Sequence, residues 1–272
     1  ALACVIPFII IISTSFTSEA TIRAEGVQLI PKDISLQAYE MVAKGGGIWW
    51  SYLLTIAMTL VGTFLGLSII AMTGYALQRK DFPFRNVISF YVYFTSLFSA
   101  GLAPYYLLMT NTYHLMDSYF AVLLPLLMSP WLIILMKNFV KAIPHEITES
   151  GKIDGAGDMK IFTALILPML KPALATIGLF LALGYWNEWY QSSLFLSSRV
   201  AVKPLQYTLY EIVNKTDALR NSVAGQFITL ADIPTESVKM ANAVLATGPI
   251  IFLYPFVQRY FISGITVGAV KG

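Results

Sequence analysis

Long apolar runs alternate with shorter polar stretches along the chain. The first run, ALACVIPFIIIISTSF, covers 1–16, and five more lie at about 49–77, 87–108, 118–139, 172–194 and 241–262. A membrane-spanning helix needs roughly 20 mainly apolar residues, and the last five runs reach that length. The first run is shorter and lacks the basic start of a signal peptide, so we interpret it as the outer part of a spanning helix whose beginning is missing from this sequence. The pattern predicts an all-α polytopic membrane protein with about six transmembrane helices.

Composition supports the same class of protein. Apolar residues make up 57% of the chain and charged residues only 12%, which is about half the share in soluble domains. The net charge of +3 is too small and too scattered to indicate binding of nucleic acid. A single cysteine, Cys4, excludes an intramolecular disulfide. We therefore expect one transmembrane domain over 1–272.

Basic residues in the short loops predict the orientation in the membrane. The loop at 109–117 contains no Lys or Arg, whereas 78–86 and 137–160 are basic. Short basic loops lie in the cytoplasm. This rule places both basic loops and both chain termini inside, with 17–48 and 195–240 outside. The basic residues in question are Arg79, Lys80, Arg85, Lys137, Lys141, Lys152 and Lys160.

The sequence contains no recognisable motif for catalysis or metal binding. The stretch ESGKI contains Gly151 and Lys152 but has neither the preceding glycine nor the following Ser or Thr of a phosphate-binding loop. The two histidines, His114 and His145, fall on opposite sides of the membrane in the predicted topology, which argues against a histidine metal site. We expect no catalytic site, no metal site and no cofactor on this chain.

The most polar helical stretch is IPHEITESGKIDGAG at 143–157. Pro144 suits a first helical position, Gly155 or Gly157 can end the helix in a left-handed cap, and Asp158 can cap a following helix. These signals predict a short helix across the cytoplasmic ends of the bundle. An ordinary cytoplasmic loop is the alternative, and the residues alone leave both open. The small residues that would allow another surface to approach closely are Ser150, Gly151, Gly155, Ala156 and Gly157.

The stretch ESGKIDGA followed by LILP resembles the EAA motif of ABC importer permeases. Glu149, Gly155, Leu167 and Pro168 match directly. The usual alanines and isoleucine are replaced by residues of similar type, which are Ser150, Gly151 and Leu165. Three further segments resemble carbohydrate-importer permeases of the maltose and alginate type, namely PFIIIISTSF near the start, WNEWYQSSLFL at 186–196 and RYFISGITVGAVKG at 259–272.

This resemblance implies a type I importer permease of the bacterial cytoplasmic membrane, surrounded by lipid. Its partners would be a second, homologous but non-identical permease subunit, two ATPase subunits and an extracytoplasmic solute-binding protein. ATP and magnesium would bind to the ATPase. The complex would import sugars or oligosaccharides by alternating access. The outer loop at about 195–240, which is too apolar for a disordered linker, would pack and face the solute-binding protein.

The resemblance also implies that the helix at about 144–157 is a coupling helix seated in the ATPase. Its coupling residues would be Glu149, Ser150, Gly151, Asp154, Gly155, Ala156 and Pro168.

A candidate substrate pathway follows from the position of Glu188. If the fifth crossing starts near Pro172, a continuous helix carries Glu188 roughly 24 Å into a hydrocarbon core of about 30 Å. An ionisable group at that depth is a candidate for function. Helical spacing puts Tyr185 and Gln191 on its face and Asn187 at the margin, while Trp186 and Tyr190 point away into packing. The alternative is an interfacial belt with Glu188 among lipid headgroups.

Other functions stay open at this stage. The chain could be an importer permease for a solute other than a sugar. It could also be a channel or secondary transporter, which would work without an ATPase, or a membrane subunit for assembly alone.

Overall fold

The computed structural model describes residues 2–44, 47–221 and 235–251. Within these ranges the regular structure is helical, apart from an isolated antiparallel bridge between Thr17 and Ile34. Two π-helical segments occur, Leu108–Thr112 after α6 and Ile161–Ile166 between α10 and α11. The helices are α1 Leu2–Ser15, α2 Glu19–Glu25, α3 Gln37–Lys44, α4 Ile48–Gln78, α5 Arg85–Leu97, α6 Leu102–Leu107, α7 Tyr119–Leu127, α8 Pro130–Lys141, α9 Glu146–Ile153, α10 Asp158–Lys160, α11 Leu167–Met169, α12 Lys171–Trp186, α13 Tyr190–Phe195, α14 Leu205–Asn221 and α15, residues 235–251.

The helical membrane fold predicted from the apolar runs is confirmed. In the described ranges two helical stretches are long and apolar enough to span a membrane, α4 and the α7–α8 stretch Tyr119–Lys141. Two bent pairs bring the count to four when each pair is taken as one span. The first apolar run forms a shorter helix, and the end of the sixth predicted run at 262 lies outside the described residues.

The third apolar run does not form the straight crossing that its pattern suggests. Helices α5 and α6 meet at an angle of 116°. Gly101 lies at the junction with a φ of 88°, a left-handed conformation that side chains with a Cβ disfavour. The run 87–108 is apolar on both sides of this glycine, so hydropathy alone does not show the break.

The segment that leads into the fifth apolar run bends by 83° between α11 and α12, at Leu170. Pro168 and Pro172 flank the bend, and each lies in the first turn of its helix, where a missing N–H costs no helical hydrogen bond. Prolines at these two positions of the sequence predict a kink ahead of the fifth crossing, and the structure has one. Helix α12 begins at Lys171, next to the position expected for the start of the crossing.

Contacts divide the chain into two units. Among the described residues, one comprises 2–44 and 47–55 with 200–221 and 235–251, and the other comprises 56–199. The single domain expected over 1–272 stays a prediction.

In the first unit, α14 is fixed to the first residues of α4. The Leu205 N–H donates to the Thr55 hydroxyl at 2.8 Å, and the Ser51 and Thr208 hydroxyls are 3.0 Å apart. The expectation that the 195–240 segment packs is therefore met for α14. Residues 222–234 of that segment lie outside the described residues.

A buried carboxylate in the first unit caps α15. The Glu19 side chain is 2% exposed and accepts hydrogen bonds from the Thr235 hydroxyl at 3.0 Å and from the backbone N–H groups of Glu236 and Ser237 at 3.0 and 3.2 Å. Arg23, one turn away, balances its charge at 3.2 Å. The sequence analysis missed this site, although the Glu19–Arg23 spacing of four residues is visible in the sequence.

The core of the second unit brings together α4, α8, the π-segment 161–166 and α12. Each contributes a side chain with no solvent exposure, namely Ile70, Met136, Ile161 and Ile177. Because α4 and α8 approach closely here, the residue at the contact must be small. It is Gly74, where an added Cβ would lie 2.6 Å from Met136 Cγ and 3.1 Å from the Lys137 backbone nitrogen.

We predict that Gly74→Ala destabilises the chain by about 1–3 kcal/mol, because an extra methyl group in a filled core forces its neighbours apart. Thermal unfolding in detergent would measure the change. Gly184→Ala is the matched control, since an added Cβ there has no atom within 4 Å and alanine favours the helix. Equal melting temperatures for the two variants would contradict the prediction and show that α4 and α8 can move apart to accept the methyl group at little cost.

Candidate functional site

Helix α9 forms where the polar stretch predicted it, but it is shorter. It runs from Glu146 to Ile153, with His145 as the residue before it. Glu146 and Glu149 occupy the first turn, where the helix dipole favours negative charge. Pro144 lies two residues ahead of the helix, so the predicted start at that proline is wrong by two positions.

The end of α9 is a Schellman motif built on Gly155. This residue has a φ of 73°, its N–H donates to the Lys152 carbonyl at 3.0 Å, and the Ala156 N–H donates to the Gly151 carbonyl at 2.9 Å. The paired bonds satisfy carbonyls that a helix end otherwise leaves free. The left-handed cap predicted at Gly155 is confirmed.

The predicted capping role of Asp158 is wrong. Gly157 occupies the cap position of α10 with extended backbone, and Asp158 is the first helical residue. The Asp158 carboxylate instead lies 2.6 Å from the Arg79 guanidinium. Because Asp158 lies one position past the cap, its carboxylate is free to form a charge-assisted bond with arginine.

The two small residues Gly151 and Ala156 contact their own chain. Gly151 is buried, and an added Cβ would lie 3.0 Å from Leu165 and 3.1 Å from Ile161. Ala156 packs against the core of the second unit. These two positions therefore hold α9 against the chain, whereas Ser150, Asp154 and Gly155 are exposed.

A large apolar side chain missed by the sequence analysis projects from the end of α9. Ile153 is 86% exposed. Glu149 lies one turn earlier and is also exposed, with its carboxylate 3.4 Å from the His145 ring. Ile153 therefore adds apolar area to the exposed, otherwise polar surface of α9.

Ion pairs tie α9 and α10 to the end of α4. Asp81 pairs with Arg79 and, at 2.7 Å, with Lys152 of α9, while Arg79 also reaches Asp158. These hydrogen bonds, first that from Arg79 and then that from Lys152, hold the pKa of the Asp81 carboxyl below its usual range. In the sequence, Arg79 and Lys152 served only to predict topology, since nothing there shows that Asp81 and Lys152, 71 positions apart, form a pair.

We predict that Asp81→Asn lowers stability by less than about 1 kcal/mol at neutral pH, because these pairs are half exposed and water screens them. A lowered pKa contributes stability above the usual value of 3.8, and this contribution is lost as the pH falls further. The difference in melting temperature between wild type and variant should therefore shrink in acid. Asp154→Asn, an exposed carboxylate outside the network, should show no such difference at either pH. A difference in melting temperature between wild type and Asp81→Asn that persists in acid would contradict the ion-pair role given to Asp81.

The second candidate region is not the continuous helix that the sequence analysis assumed. Helix α12 ends at Trp186, Glu188 and Trp189 are non-helical, and α13 begins at Tyr190. Residues three apart across this break do not share a helical face, so that prediction is wrong. Trp186 is buried as expected, but Tyr190 is 46% exposed rather than packed.

Glu188 caps α13. Its carboxylate is 7% exposed and accepts hydrogen bonds from the Ser192 hydroxyl at 2.6 Å and from the backbone N–H groups of Gln191 and Ser192. Gln191 in turn accepts a hydrogen bond from the Tyr105 hydroxyl at 3.0 Å. Glu188 and Gln191 are therefore close together, as predicted, but because Glu188 caps the helix that contains Gln191 and not because they share a helical face.

The other two predicted pathway residues lie apart from this cap. Tyr185 is 2% exposed, donates to the Leu123 carbonyl at 2.9 Å and lies with its ring against Gly62. Asn187 is exposed, and its amide donates to the Leu183 carbonyl at 2.9 Å. In the part of the chain that the structure describes, no three His, Cys, Asp or Glu side chains are grouped as metal ligands would be.

Both candidate regions lie within a segment that matches a known protein family. The family model for the inner membrane component of binding-protein-dependent transport systems covers residues 71–267. The chain belongs to this family. It is therefore a multi-pass permease subunit of a transport system.

Individual relatives match almost the whole permease. The polygalacturonan/rhamnogalacturonan transport system permease protein YtcP of Bacillus subtilis is 36% identical over 272 residues, which is 100% of this chain and 94% of the relative. The trehalose/maltose transport system permease protein MalG of Thermococcus litoralis is 29% identical over 283 residues, covering 100% and 93%. Among solved structures, a chain from a bacterial ABC transporter involved in the import of the acidic polysaccharide alginate matches with a TM-score of 0.82 at 33% identity, covering 96% of this chain and 91% of that chain.

Proposed function

We propose that the permease is one of two membrane subunits of an ATP-driven importer for sugars or oligosaccharides. The names of its relatives support the substrate class, since they describe transport of polygalacturonan/rhamnogalacturonan, of trehalose/maltose, and of alginate. The observation that carries the proposal is α9, a short helix that is exposed on one face and held firmly on the other.

The exposed face of α9 suits a contact with a separate ATPase. Ile153 supplies apolar area, while Glu149 and Asp154 supply charge for basic partners. Ser150 and Gly155 add little bulk, so a partner surface can approach the helix end. We assign the coupling role to the helix with its flanks, about 144–157.

The held face of α9 gives a route for motion into the membrane. Gly151 fits against Ile161 and Leu165, and the Asp81 ion pairs reach the end of α4. A displacement of α9 by the ATPase would therefore move the π-segment and the bend at Pro168 as one body. Nucleotide binding would bias two such positions, which is alternating access by rigid-body motion.

The assembly follows from the same proposal. Two ATPase subunits carry ATP and magnesium in the cytoplasm, a homologous permease pairs with this one, and an extracytoplasmic binding protein delivers the sugar. Both termini and α9 lie in the cytoplasm, and the outer loop at 195–240 faces the binding protein. The basic loops support this orientation.

Reconstitution in proteoliposomes tests the proposal. The permease would be combined with the second permease, the ATPase and the binding protein encoded beside it, and uptake of labelled solutes would be measured. We expect uptake of oligosaccharides that requires ATP and ceases without the ATPase. Uptake independent of the ATPase would indicate a channel or secondary transporter, and ATP-dependent uptake of amino acids or ions alone would overturn the sugar assignment.

A further inference from the structure

A cleft with a basic mouth lies between α5 and α8, and no residue of α9 or of the Glu188 cap lines it. Its volume is about 450 Å³. Three cationic side chains line it, Arg85 in the first turn of α5 and Lys137 and Lys141 in the last turns of α8. Lys137 and Lys141 are four residues apart and share a face of their helix.

The charges in this cleft are not neutralised by the described part of the chain. Lys137 donates to the Ser89 hydroxyl at 2.8 Å, and Arg85 donates to the Arg79 carbonyl at 3.5 Å. Neither group, nor Lys141, has a carboxylate within ion-pair distance among the described residues. Lys137 is half-buried inside the apolar stretch Tyr119–Lys141, where an uncompensated cation is costly.

The walls change from basic to apolar in the same direction on both helices. On α5, Arg85 is followed by Ser89 and then by Val92, about one turn apart each. On α8 the order read backwards is Lys141, Lys137 and then Ile133 and Ile134. A phospholipid has the same order of groups, with a phosphate above an acyl chain.

We propose that this cleft binds an anionic phospholipid. The phosphate lies among Arg85, Lys137 and Lys141, and one acyl chain lies along the partly exposed Val92 and Ile134. Basic pockets between membrane helices bind acidic headgroups because each cation near the membrane surface adds attraction for negative charge. The apolar depth of the cleft favours a lipid over a soluble phosphate, which has nothing to place there. The inference requires only that the permease is embedded in a membrane, and it is independent of the proposed sugar.

Native mass spectrometry of the permease purified from membranes in a neutral detergent tests this. The probes are phosphatidylglycerol and phosphatidylcholine with identical acyl chains. We expect selective retention of phosphatidylglycerol, and a loss of affinity of about fivefold for each cation removed in Arg85→Gln, Lys137→Gln and Lys141→Gln. Lys171→Gln, an exposed lysine outside the cleft, is the control and should bind as the wild type does.

The outcomes separate the possible ligands. Lys141→Gln removes an exposed side chain, so it keeps the assay valid if the Lys137 variant fails to fold. Equal retention of both lipids, or unchanged affinity in all cleft variants, overturns the proposal. Displacement of the lipid by millimolar inorganic phosphate or glycerol phosphate assigns the site to a soluble anion instead. Loss of the lipid when the second permease binds assigns the cleft to a protein contact.

Discussion

Gly155→Asp is expected to abolish transport while the permease still inserts in the membrane. Gly155 is exposed at the end of α9, and an added Cβ there has no neighbour within 4 Å in the chain. Any harm from added bulk must therefore come from a partner surface. If the ATPase closes over this turn, losing roughly 2 kcal/mol or more at such a contact lowers coupled activity by about 30-fold or more.

Backbone strain must be separated from lost contact in this experiment. A φ of 73° disfavours most residues, but Asp and Asn tolerate the left-handed region better than Ala. Gly155→Asn should therefore preserve the Schellman turn and still obstruct the partner, whereas Gly155→Ala mainly strains the turn. Gly26→Asp is a stringent control for backbone strain, because Gly26 lies outside α9 with nothing within 4 Å, and its φ of 76° and ψ of −166° lie in a region nearly confined to glycine.

Co-purification with the ATPase and substrate-stimulated ATP hydrolysis are the measurements, with the membrane level of the permease as the check on folding. We expect Gly155→Asp and Gly155→Asn to lose both, and Gly26→Asp to keep both. Wild-type assembly and stimulation in the Gly155 variants would remove α9 as the coupling element.

Glu188→Ala is expected to impair uptake about tenfold, with the permease still inserted and assembled. The substitution leaves the Ser192 hydroxyl and two N–H groups of α13 without their acceptor. Buried groups of this kind cost about 1–3 kcal/mol when left unsatisfied. The cap also fixes Gln191 against Tyr105, so its loss displaces a proposed pathway residue.

A carboxylate that acts through its charge and one that acts as a cap predict different results for Glu188→Gln. Glutamine keeps a carbonyl acceptor for α13, so we expect it to recover most of the melting temperature and most of the uptake. Ser192→Ala should resemble a mild form of Glu188→Ala, while Ser193→Ala, whose hydroxyl bonds only to the Tyr190 carbonyl, should resemble the wild type. A stable but inactive Glu188→Gln would assign the residue to the substrate pathway through its charge, and normal uptake in Glu188→Ala would exclude both roles.

Features fixed by local chemistry were predictable from the sequence. The apolar runs predicted spanning helices because their length must match the bilayer. The cap at Gly155 was predictable because a left-handed residue at a helix end is usually glycine. The bend between Pro168 and Pro172 followed from the effect of proline on a helix.

Features fixed by packing were not predictable. An apolar run reads the same whether its helix is straight or broken, so the angle at Gly101 and the end of α12 before Glu188 were missed. The depth assigned to Glu188 failed because it assumed an unbroken helix. The hydrogen bond from Ser192 to Glu188 spans only four residues and could have been predicted from the sequence. It was missed because both residues lie in a run that was interpreted by its hydropathy alone. The burial of Gly151 was not predictable either, because it results from contacts with Ile161 and Leu165 that only the fold creates.

The cap that Glu19 provides for α15 has a consequence for synthesis of the chain. Its partner Thr235 lies 216 residues later in the chain. Because ribosomes add about 5–20 residues per second, the donor of this hydrogen bond is made on the order of 10–40 seconds after Glu19. During that interval water can hydrate the carboxylate, and Arg23, four residues later in the chain, can already form its ion pair with Glu19. The unit that contains Glu19 is thus completed only after residues 235–237 have been made, and a chain truncated before residue 235 should lack the partners of this carboxylate.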